Sequence, residues 1–301
     1  MHATKSDCLV PVIEHAPMSG VFSKSLRSWW KKIDAATATR TLAVLLLALS
    51  LTSGSARAAD SFVLVSDVDD TVKITNVLDH DEAFRNAMFS KLVFAGMPEL
   101  YRYILGKNYP AGRLRFLSAA PVFLKHTVSE LLKANFPDNY RLTLRDGKEL
   151  ISSASEFKTK YLKKLYGASG DNFLLIGDDT ESDPAVYEAF SGSRPNKVLA
   201  IYIHRISGKE LPLGSIAFVT AYDIAMREFV AGRLSEKQAA DVGNAVFNSK
   251  DSTFLPDFQQ CPKEYEQIAD LPEALVQLKK QIDGRMTALC SSRTNMSLSH
   301  K

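Results

Sequence analysis

Asp67 and Asp69 are separated by a single residue and follow directly after the apolar run 62–65. A short apolar run rich in valine is typical of a parallel strand that is buried on both faces. In open α/β sheets, ligands bind and react at the carboxyl ends of such strands. Two carboxylates in that position can hold Mg²⁺ and, with it, a phosphate group. The segment 66–71 therefore predicts a site of this kind.

The same segment has a simpler interpretation as a surface cluster of aspartates. Such a cluster could cap a turn or bind Ca²⁺ loosely. It is not an EF-hand loop, because the glycine and the distal glutamate that this loop needs at fixed offsets are absent. Taken alone, the DxDxT spacing leaves both interpretations open.

Three later features have the same placement relative to predicted strands. Ser118 ends a second strand-like segment, and Pro121 follows at a position suited to the first turn of a helix. Asp178 and Asp183 lie in an acidic loop after a third apolar run, and Lys158 lies on a predicted helix between the two segments. The chain thus has the order DxDxT, Ser, Lys and GDxxxxD, with each acidic or hydroxyl group at a strand end.

This order of motifs resembles that of the haloacid dehalogenase-like phosphohydrolases. The segment 67–73, DVDDTVK, is more specifically similar to the DxDDT[IV]K signature of the actin-patch-type phosphatidate phosphatases. Other segments that resemble this family are 96–101, 117–121, 136–137, 177–184 and 200–204. The resemblance covers about residues 62–225. It implies an α/β Rossmannoid fold, a parallel sheet with helices on both faces, with a small helical cap insert and a helical C-terminal extension.

The resemblance also implies an activity, a Mg²⁺-dependent phosphatase that forms an aspartyl-phosphate intermediate. Asp67 is the implied nucleophile and a metal ligand. Asp69 is the implied general acid and then general base, with its backbone carbonyl available to the metal. Thr71 would hydrogen-bond the nucleophile or the phosphate.

The remaining implied roles fall on the later motifs. Ser118 would hold a phosphate oxygen, and Lys158 would balance the added negative charge. Asp178 would complete the protein ligands of the metal, with Asp183 just behind it. The residues expected to hold the metal are therefore all aspartates: Asp67, Asp69, Asp178 and Asp183.

Some of these assignments have alternatives in the sequence. Ser118 could be a hydroxyl at a helix start with a purely structural role. Lys160 could replace Lys158, although the apolar residues after Lys158 have the spacing that the family shows after its lysine. Asp179 could exchange roles with Asp178, since the two are adjacent.

Three residues of the motifs also have purely structural interpretations. Asp178 and Asp183 could cap a junction between a loop and a helix. His204, which ends a further strand-like segment, is expected to be structural.

Hydrophobic periodicity places the remaining elements. In the insert 72–112, apolar residues at helical spacing predict two helices, which Gly96 and Pro98 separate. The further predicted elements alternate helix and strand, which favours a parallel sheet: 121–135, 139–144, 156–166, the run 173–176 and 197–203. The last part of the chain predicts helices only, at 224–232, 236–247 and 272–289, before a tail rich in Ser and Thr that we expect to be disordered.

The first 58 residues have the features of a secretory signal. A basic stretch precedes the apolar run 42–51, which is too short to span a bilayer, and an Ala-x-Ala site ends at Ala58. An uncleaved membrane anchor and a start at Met18 are the alternatives. The predicted organisation is a signal peptide over 1–58, a phosphatase domain over 59–225 and a helical extension over 226–301.

Charge and cysteine content agree with an exported phosphatase. The chain has a formal net charge of +3, but residues 59–301 alone carry 30 Lys and Arg against 31 Asp and Glu. This balance gives no indication of nucleic-acid binding. Cys261 and Cys290 remain after loss of the signal and could form a disulfide or stay as two buried thiols. We expect a periplasmic or secreted protein.

The substrate is the least specified part of the prediction. The family resemblance implies phosphatidate, and a soluble phosphomonoester is the close alternative. Peripheral contact with a membrane would depend on local lysines such as Lys73 and Lys91, because the net charge offers no broad attraction. A non-catalytic binding module is a third possibility, but such a module has no need to retain the full set of motif residues.

Overall fold

The computed structural model describes residues 62–265 and 267–299. The predicted signal segment, its cleavage site and the alternative start at Met18 lie outside these residues. They remain predictions.

The centre of the protein is a six-stranded sheet in the order β3-β2-β1-β4-β5-β6. Each pair of neighbouring strands is parallel. The strands are β1 Phe62–Ser66, β2 Leu114–Pro121, β3 Tyr140–Arg145, β4 Asn172–Asp178, β5 Val198–His204 and β6 Ser215–Phe218. The first five confirm the predicted strands. The sequence did not predict β6, which has four residues and only one buried side chain, that of Phe218.

Helices connect the strands and form the C-terminal part of the chain. They are α1 His80–Phe89, α2 Met97–Leu105, α3 Lys125–Asn135, α4 Ala154–Ser169, α5 Asp183–Gly192, α6 Ala221–Val230, α7 Glu236–Phe247, α8 Asp251–Phe254 and α9 Glu273–Ser299. Two 3₁₀ turns, Val122–Leu124 and Gly147–Ile151, follow β2 and β3.

Helix α4 is the helix that carries Lys158, and local sequence defines both of its ends. At the N-terminus, Ser153 accepts a hydrogen bond from the backbone of Glu156, whose side chain accepts in return from the backbone of Ser153. This capping box pairs two donors that the first turn leaves free. At the C-terminus, Gly170 adopts a left-handed conformation with φ 61°, which costs glycine little. The helix therefore begins at a fixed position relative to Lys158.

The strands are buried on both faces, as a parallel sheet requires. In β1, Leu64 belongs to a core cluster that includes side chains of α2, α3, α6, α7 and α9. Its neighbours Val63 and Val65 belong to a second cluster with side chains of α4 and α5. The predicted α/β architecture with helices on both faces is thus confirmed.

The insert after β1 is smaller than we predicted. Helix α2 buries Met97 and Leu100 in the core, so it is a packed connection between β1 and β2. The apolar pattern that suggested helix up to Val93 was wrong beyond α1. Residues 92–94 instead run beside 72–74, with hydrogen bonds from Ile74 N to Leu92 O and from Phe94 N to Val72 O, both 3.0 Å long. The two ends of this part of the insert, 72–74 and 92–94, therefore lie side by side.

Two features of the C-terminal part can be compared with the sequence predictions. Cys261 and Cys290 form a disulfide, which joins the segment before α9 to that helix. Helix α9 continues to Ser299, ten residues beyond the predicted end at Leu289. Among the described helices, none combines the length and the apolar character that a membrane crossing requires.

Candidate active site

The two central strands bring their C-terminal aspartates together. Asp67 follows β1, and Asp178 is the last residue of β4. The strands are neighbours, and Asp67 N donates to Ile176 O at 2.9 Å. From β1, the chain first builds the sheet in one direction with β2 and β3 and then in the opposite direction with β4, β5 and β6. The boundary between β1 and β4 is therefore a topological switch point. This switch point is where open α/β sheets bind their ligands.

Three buried carboxylates surround one buried ammonium group at this point. Carboxylate oxygens of Asp67, Asp178 and Asp183 all lie within 4.8 Å of one another. Lys158 Nζ donates to Asp67 Oδ1 at 2.9 Å and to Asp183 Oδ1 at 2.5 Å. When all four groups are ionised, the cluster keeps two uncompensated negative charges.

Burial controls the protonation of this cluster. It raises the pKa of Asp67 well above its ordinary value, although the Lys158 ammonium opposes that shift. Burial likewise raises the pKa of Asp183 to about 7. For Lys158, burial by itself lowers the pKa, but the carboxylates of Asp183 and Asp67 outweigh it and hold the pKa above its usual range. The lysine stays charged, and Asp67 and Asp183 need further positive charge to stay ionised.

The residues of the cluster fit a divalent cation bound through oxygen. Oδ2 of Asp183 is buried and has no hydrogen-bond partner among the described residues, and a buried carboxylate oxygen is rarely left in that state. A Cβ atom at Gly177 would lie 2.5 Å from the same oxygen, so a larger residue there would displace this carboxylate. Three carboxylates with two uncompensated charges match the ligands of a hard divalent cation.

Asp69 faces away from the cluster. Its Oδ1 accepts from Thr75 Oγ1 at 2.8 Å, and its Oδ2 accepts from Ser118 Oγ at 3.2 Å. Thr75 belongs to the insert and Ser118 to β2. This half-buried carboxylate is therefore held between the insert and β2. The expected contact of its backbone carbonyl with a metal remains a prediction.

Thr71 makes a contact that differs from the expected one. Its hydroxyl donates to Asp178 Oδ2 at 3.3 Å, whereas the sequence suggested a contact with Asp67 or with the phosphate. Thr180 completes the hydrogen bonds of the same carboxylate, through its backbone N at 2.7 Å and through its hydroxyl. Thr71 and Thr180 together orient Asp178 toward the cluster.

Asp70 and Asp179, which directly follow Asp69 and Asp178 in the chain, have structural roles. Asp70 adopts φ 53°, and its carboxylate accepts from the backbone N of residues 75, 76 and 77. Asp179 accepts from the backbone N of residues 206, 207 and 208. The Asp179 carboxylate therefore faces that loop, and the alternative exchange with Asp178 has no support in the geometry.

The two candidate lysines have different surroundings. Lys158 is fully buried in the carboxylate cluster. Lys160 is largely exposed, and its Nζ donates to Glu149 Oε1 at 2.7 Å. The placement favours Lys158.

His204 has the structural role that we expected. The ring lies against Phe94 and stacks on Phe218, and burial lowers its pKa. The Gln259 amide lies 3.0 Å from Nε2, and the carbonyl oxygen of Asp70 lies 2.8 Å from Nδ1. The neutral ring can thus accept from Gln259 and donate to Asp70.

Sequence patterns did not identify two polar residues near the site. Thr75 holds Asp69 from the insert, and Glu181 Oε2 lies 3.8 Å from Lys158 Nζ. Thr75 lies outside every recognised motif. Glu181 lies inside the acidic loop, so the density of carboxylates there was its only signal.

Comparison with known proteins agrees with the resemblance inferred from the motifs. Residues 62–205 match the family described as the catalytic domain of phosphatidate phosphatase APP1. Phosphatidate phosphatase APP1 of Saccharomyces cerevisiae is 28% identical over 154 residues, which cover 46% of this chain and 25% of that protein. An uncharacterized protein of Schizosaccharomyces pombe is 28% identical over 153 residues, 48% of this chain and 25% of its own length. The chain spans about a quarter of the length of these relatives.

Proposed function

We propose, from the similarity to the APP1 catalytic domain, that this chain is a Mg²⁺-dependent phosphatase acting on a phosphomonoester through an aspartyl-phosphate intermediate. The substrate that this similarity favours is phosphatidate, with diacylglycerol as the product. The observation that carries the proposal is the buried cluster of Asp67, Asp178 and Asp183 around Lys158 at the switch point of the sheet. The cluster combines a nucleophile with carboxylates that could hold the divalent cation needed to receive an anion.

Asp67 is the proposed nucleophile. Lys158 holds one of its oxygens, which leaves the second oxygen to attack the phosphorus atom. Attack displaces the alkoxide of the substrate and produces a mixed anhydride between the Asp67 carboxyl and the phosphoryl group. Hydrolysis of this anhydride then regenerates the carboxylate, so one slow displacement is divided into two easier ones.

Asp69 is the proposed acid and base. The hydroxyls of Thr75 and Ser118 fix its two oxygens outside the cation cluster. From there the carboxyl can give a proton to the leaving alkoxide and later take one from the attacking water. Ser118 is also placed to hold a phosphate oxygen, provided that its hydroxyl turns from Asp69 to the substrate.

The positive charges complete the proposal. Mg²⁺ would neutralise charge on the phosphoryl oxygens, and the residues that would hold it are Asp67, Asp178, Asp183 and the backbone carbonyl of Asp69. Lys158 favours the ionised form of Asp67 and would balance part of the negative charge of the incoming phosphate. The small size of Mg²⁺ suits a site with few protein ligands, because this ion usually keeps several waters.

The deciding experiment measures phosphate release from phosphatidate in mixed micelles and from glycerol 3-phosphate, each with Mg²⁺ and with excess chelator. We expect metal-dependent hydrolysis of both, with a higher kcat/KM for phosphatidate. Equal or better hydrolysis of glycerol 3-phosphate would favour the generic phosphomonoesterase. Absence of release from either, by a folded protein loaded with Mg²⁺, would leave the non-catalytic binding module as the remaining interpretation.

Export is a separate part of the proposal. The N-terminal signal pattern and the disulfide between Cys261 and Cys290 both support a periplasmic or secreted location, since disulfides persist in oxidising compartments. N-terminal sequencing of the purified protein tests it, with Ala59 as the expected first residue.

A further inference from the structure

Five large apolar side chains are exposed on the segments that follow β1, β2 and β3. They form what we call the apolar rim: Phe89, Leu92, Phe123, Leu150 and Ile151. The exposed fractions are large, 76% for Phe89, 70% for Phe123 and 91% for Ile151. Several large apolar side chains that remain in water on neighbouring segments can mark an interaction surface.

Two of the segments that bear the rim contact Asp69 of the proposed active site. Phe89 and Leu92 lie on the insert, which contacts Asp69 through Thr75. Phe123 follows five residues after Ser118, which contacts the same carboxylate.

Leu150 and Ile151 are connected to this edge through Arg145, the last residue of β3. The Arg145 guanidinium donates to the carbonyl oxygen of Ala119 in β2 and to that of Ser152, which follows the 3₁₀ turn of Ile151. The three parts of the rim therefore follow adjacent strand ends around Asp69.

Other exposed apolar residues of the described chain do not share this position. Val230 is the last residue of α6, the helix that follows the edge strand β6. Leu213, 95% exposed, lies just before the start of β6. Leu78 is on the insert but is followed by Asp79 and Asp81, so its surroundings are acidic.

Each part of the rim has an exposed lysine within two residues. Lys91 lies between Phe89 and Leu92, Lys125 follows Phe123, and Lys148 precedes Leu150. Apolar tips with flanking lysines are the combination that binds the boundary between headgroups and acyl chains of an anionic membrane.

One lysine expected in this role cannot have it. Lys73 is 1% exposed, and its Nζ donates to the carbonyl oxygen of Ala87. It therefore fixes α1 to the beginning of the insert. Lys91, the other lysine expected in this role, is exposed and remains available to a membrane.

We propose that the apolar rim docks the protein on an anionic phospholipid surface, with its apolar tips among the headgroups and its lysines against lipid phosphates. The inference rests on the proposed function, because it explains how a lipid phosphate could reach Asp67 while its acyl chains stay in the bilayer. The partner is a lipid surface, since the lysines match anionic headgroups and the rim adjoins the entrance for a phosphorylated lipid.

The test uses tryptophan as a local probe of membrane insertion. The chain contains two tryptophans, Trp29 and Trp30, which are replaced by Phe so that the full chain has no background emission. Phe123→Trp and Ile151→Trp then report on the rim, and Leu213→Trp is the matched control at an equally exposed apolar position. The vesicles contain phosphatidylserine and brominated phosphatidylcholine but no phosphatidate, so the measurement does not depend on hydrolysis.

We expect bromine quenching and a blue shift of emission for Phe123→Trp and Ile151→Trp, and little change for Leu213→Trp. Replacing Lys91, Lys125 and Lys148 by Gln should weaken binding about fivefold for each lysine at low salt. Equal quenching at Leu213→Trp, or none at either rim position, would overturn the proposal.

A kinetic comparison separates this inference from the proposed function. In the native chain, Phe123→Ser with Ile151→Ser should raise KM for phosphatidate in vesicles at least tenfold and leave kcat/KM for glycerol 3-phosphate unchanged. Loss of both activities would indicate damage to the site instead of lost docking. If the chain hydrolyses neither substrate but its rim is still quenched, the proposed function fails and the docking surface stands.

Discussion

The ammonium group of Lys158 lies 2.9 Å from Oδ1 of Asp67, although 91 residues separate the two in the chain. Neither side chain is more than 4% exposed. The contact exists because the capping box at Ser153 starts α4 beside the strand ends and the helix then carries Lys158 inward. A buried pair of this kind makes each partner depend on the other, since a single unpaired charge in the interior is strongly unfavourable.

Lys158→Met should destabilise the protein and abolish activity. The substitution leaves three buried carboxylates without their ammonium partner, and breaking a buried ion pair costs about 3–5 kcal/mol of unfolding free energy. Urea denaturation in the absence of metal and phosphate release measure the two effects. Lys160→Met is the matched control, and its exposed contact with Glu149 predicts a change within about 0.5 kcal/mol. Similar losses in both variants would show that Lys158 has no special role.

Asp67→Asn should abolish turnover while the fold survives. An amide cannot form the acyl phosphate, but it keeps the size of the carboxylate and can still contact neighbouring groups. Phosphate release and circular dichroism are the measurements. Asp257→Asn, at a side chain fully exposed to solvent, is the control and should retain wild-type turnover. Activity of Asp67→Asn within a few-fold of wild type would remove the nucleophile assignment.

Asp69→Asn should reduce the rate by about 10²- to 10⁴-fold, the usual contribution of a general acid and base. Hydrolysis of the intermediate also loses its base, so phosphoenzyme could accumulate with a substrate that has a good leaving group. Acid quenching followed by intact-mass measurement would detect the added phosphoryl group. A loss of less than about tenfold is incompatible with the assigned role.

Activity should require Mg²⁺, and Ca²⁺ should inhibit it. Mg²⁺ demands near-octahedral coordination, whereas Ca²⁺ accepts a bidentate carboxylate. A bidentate Asp67 would have no free oxygen for attack. Titration of phosphate release with each ion checks the expectation. Full activity in excess chelator would contradict the proposed metal dependence and, with it, the role proposed for Asp178.

The sequence indicated which residues of the candidate site would lie together, but it missed parts of the elements around them. Asp67, Asp178 and Asp183 could be placed together because they follow strands of one parallel sheet, whose carboxyl ends share an edge. Lys158 could be preferred over Lys160 only by resemblance. The structure adds the physical reason, which is that Lys158 faces inward.

The missed features depend on contacts between distant segments. Residues 92–94 are extended because they pair with 72–74, and periodicity within one segment does not reveal such pairing. The contact of Thr75 with Asp69 depends on the same folding back of the insert. Strand β6 was missed because its edge position leaves three of its four residues partly or fully exposed, so it lacks a clear apolar run.

The disulfide between Cys261 and Cys290 is connected to the DxDxT loop through a short series of contacts. Cys261 lies two residues after Gln259, whose amide contacts His204, and His204 in turn contacts the backbone of Asp70. Reduction would remove the covalent link between α9 and the segment that supplies Gln259, and the hydrogen bond from Arg293 of α9 to the carbonyl oxygen of Gln259 would remain. Protein made in a reducing cytosol would therefore lack the covalent part of the support behind its DxDxT loop.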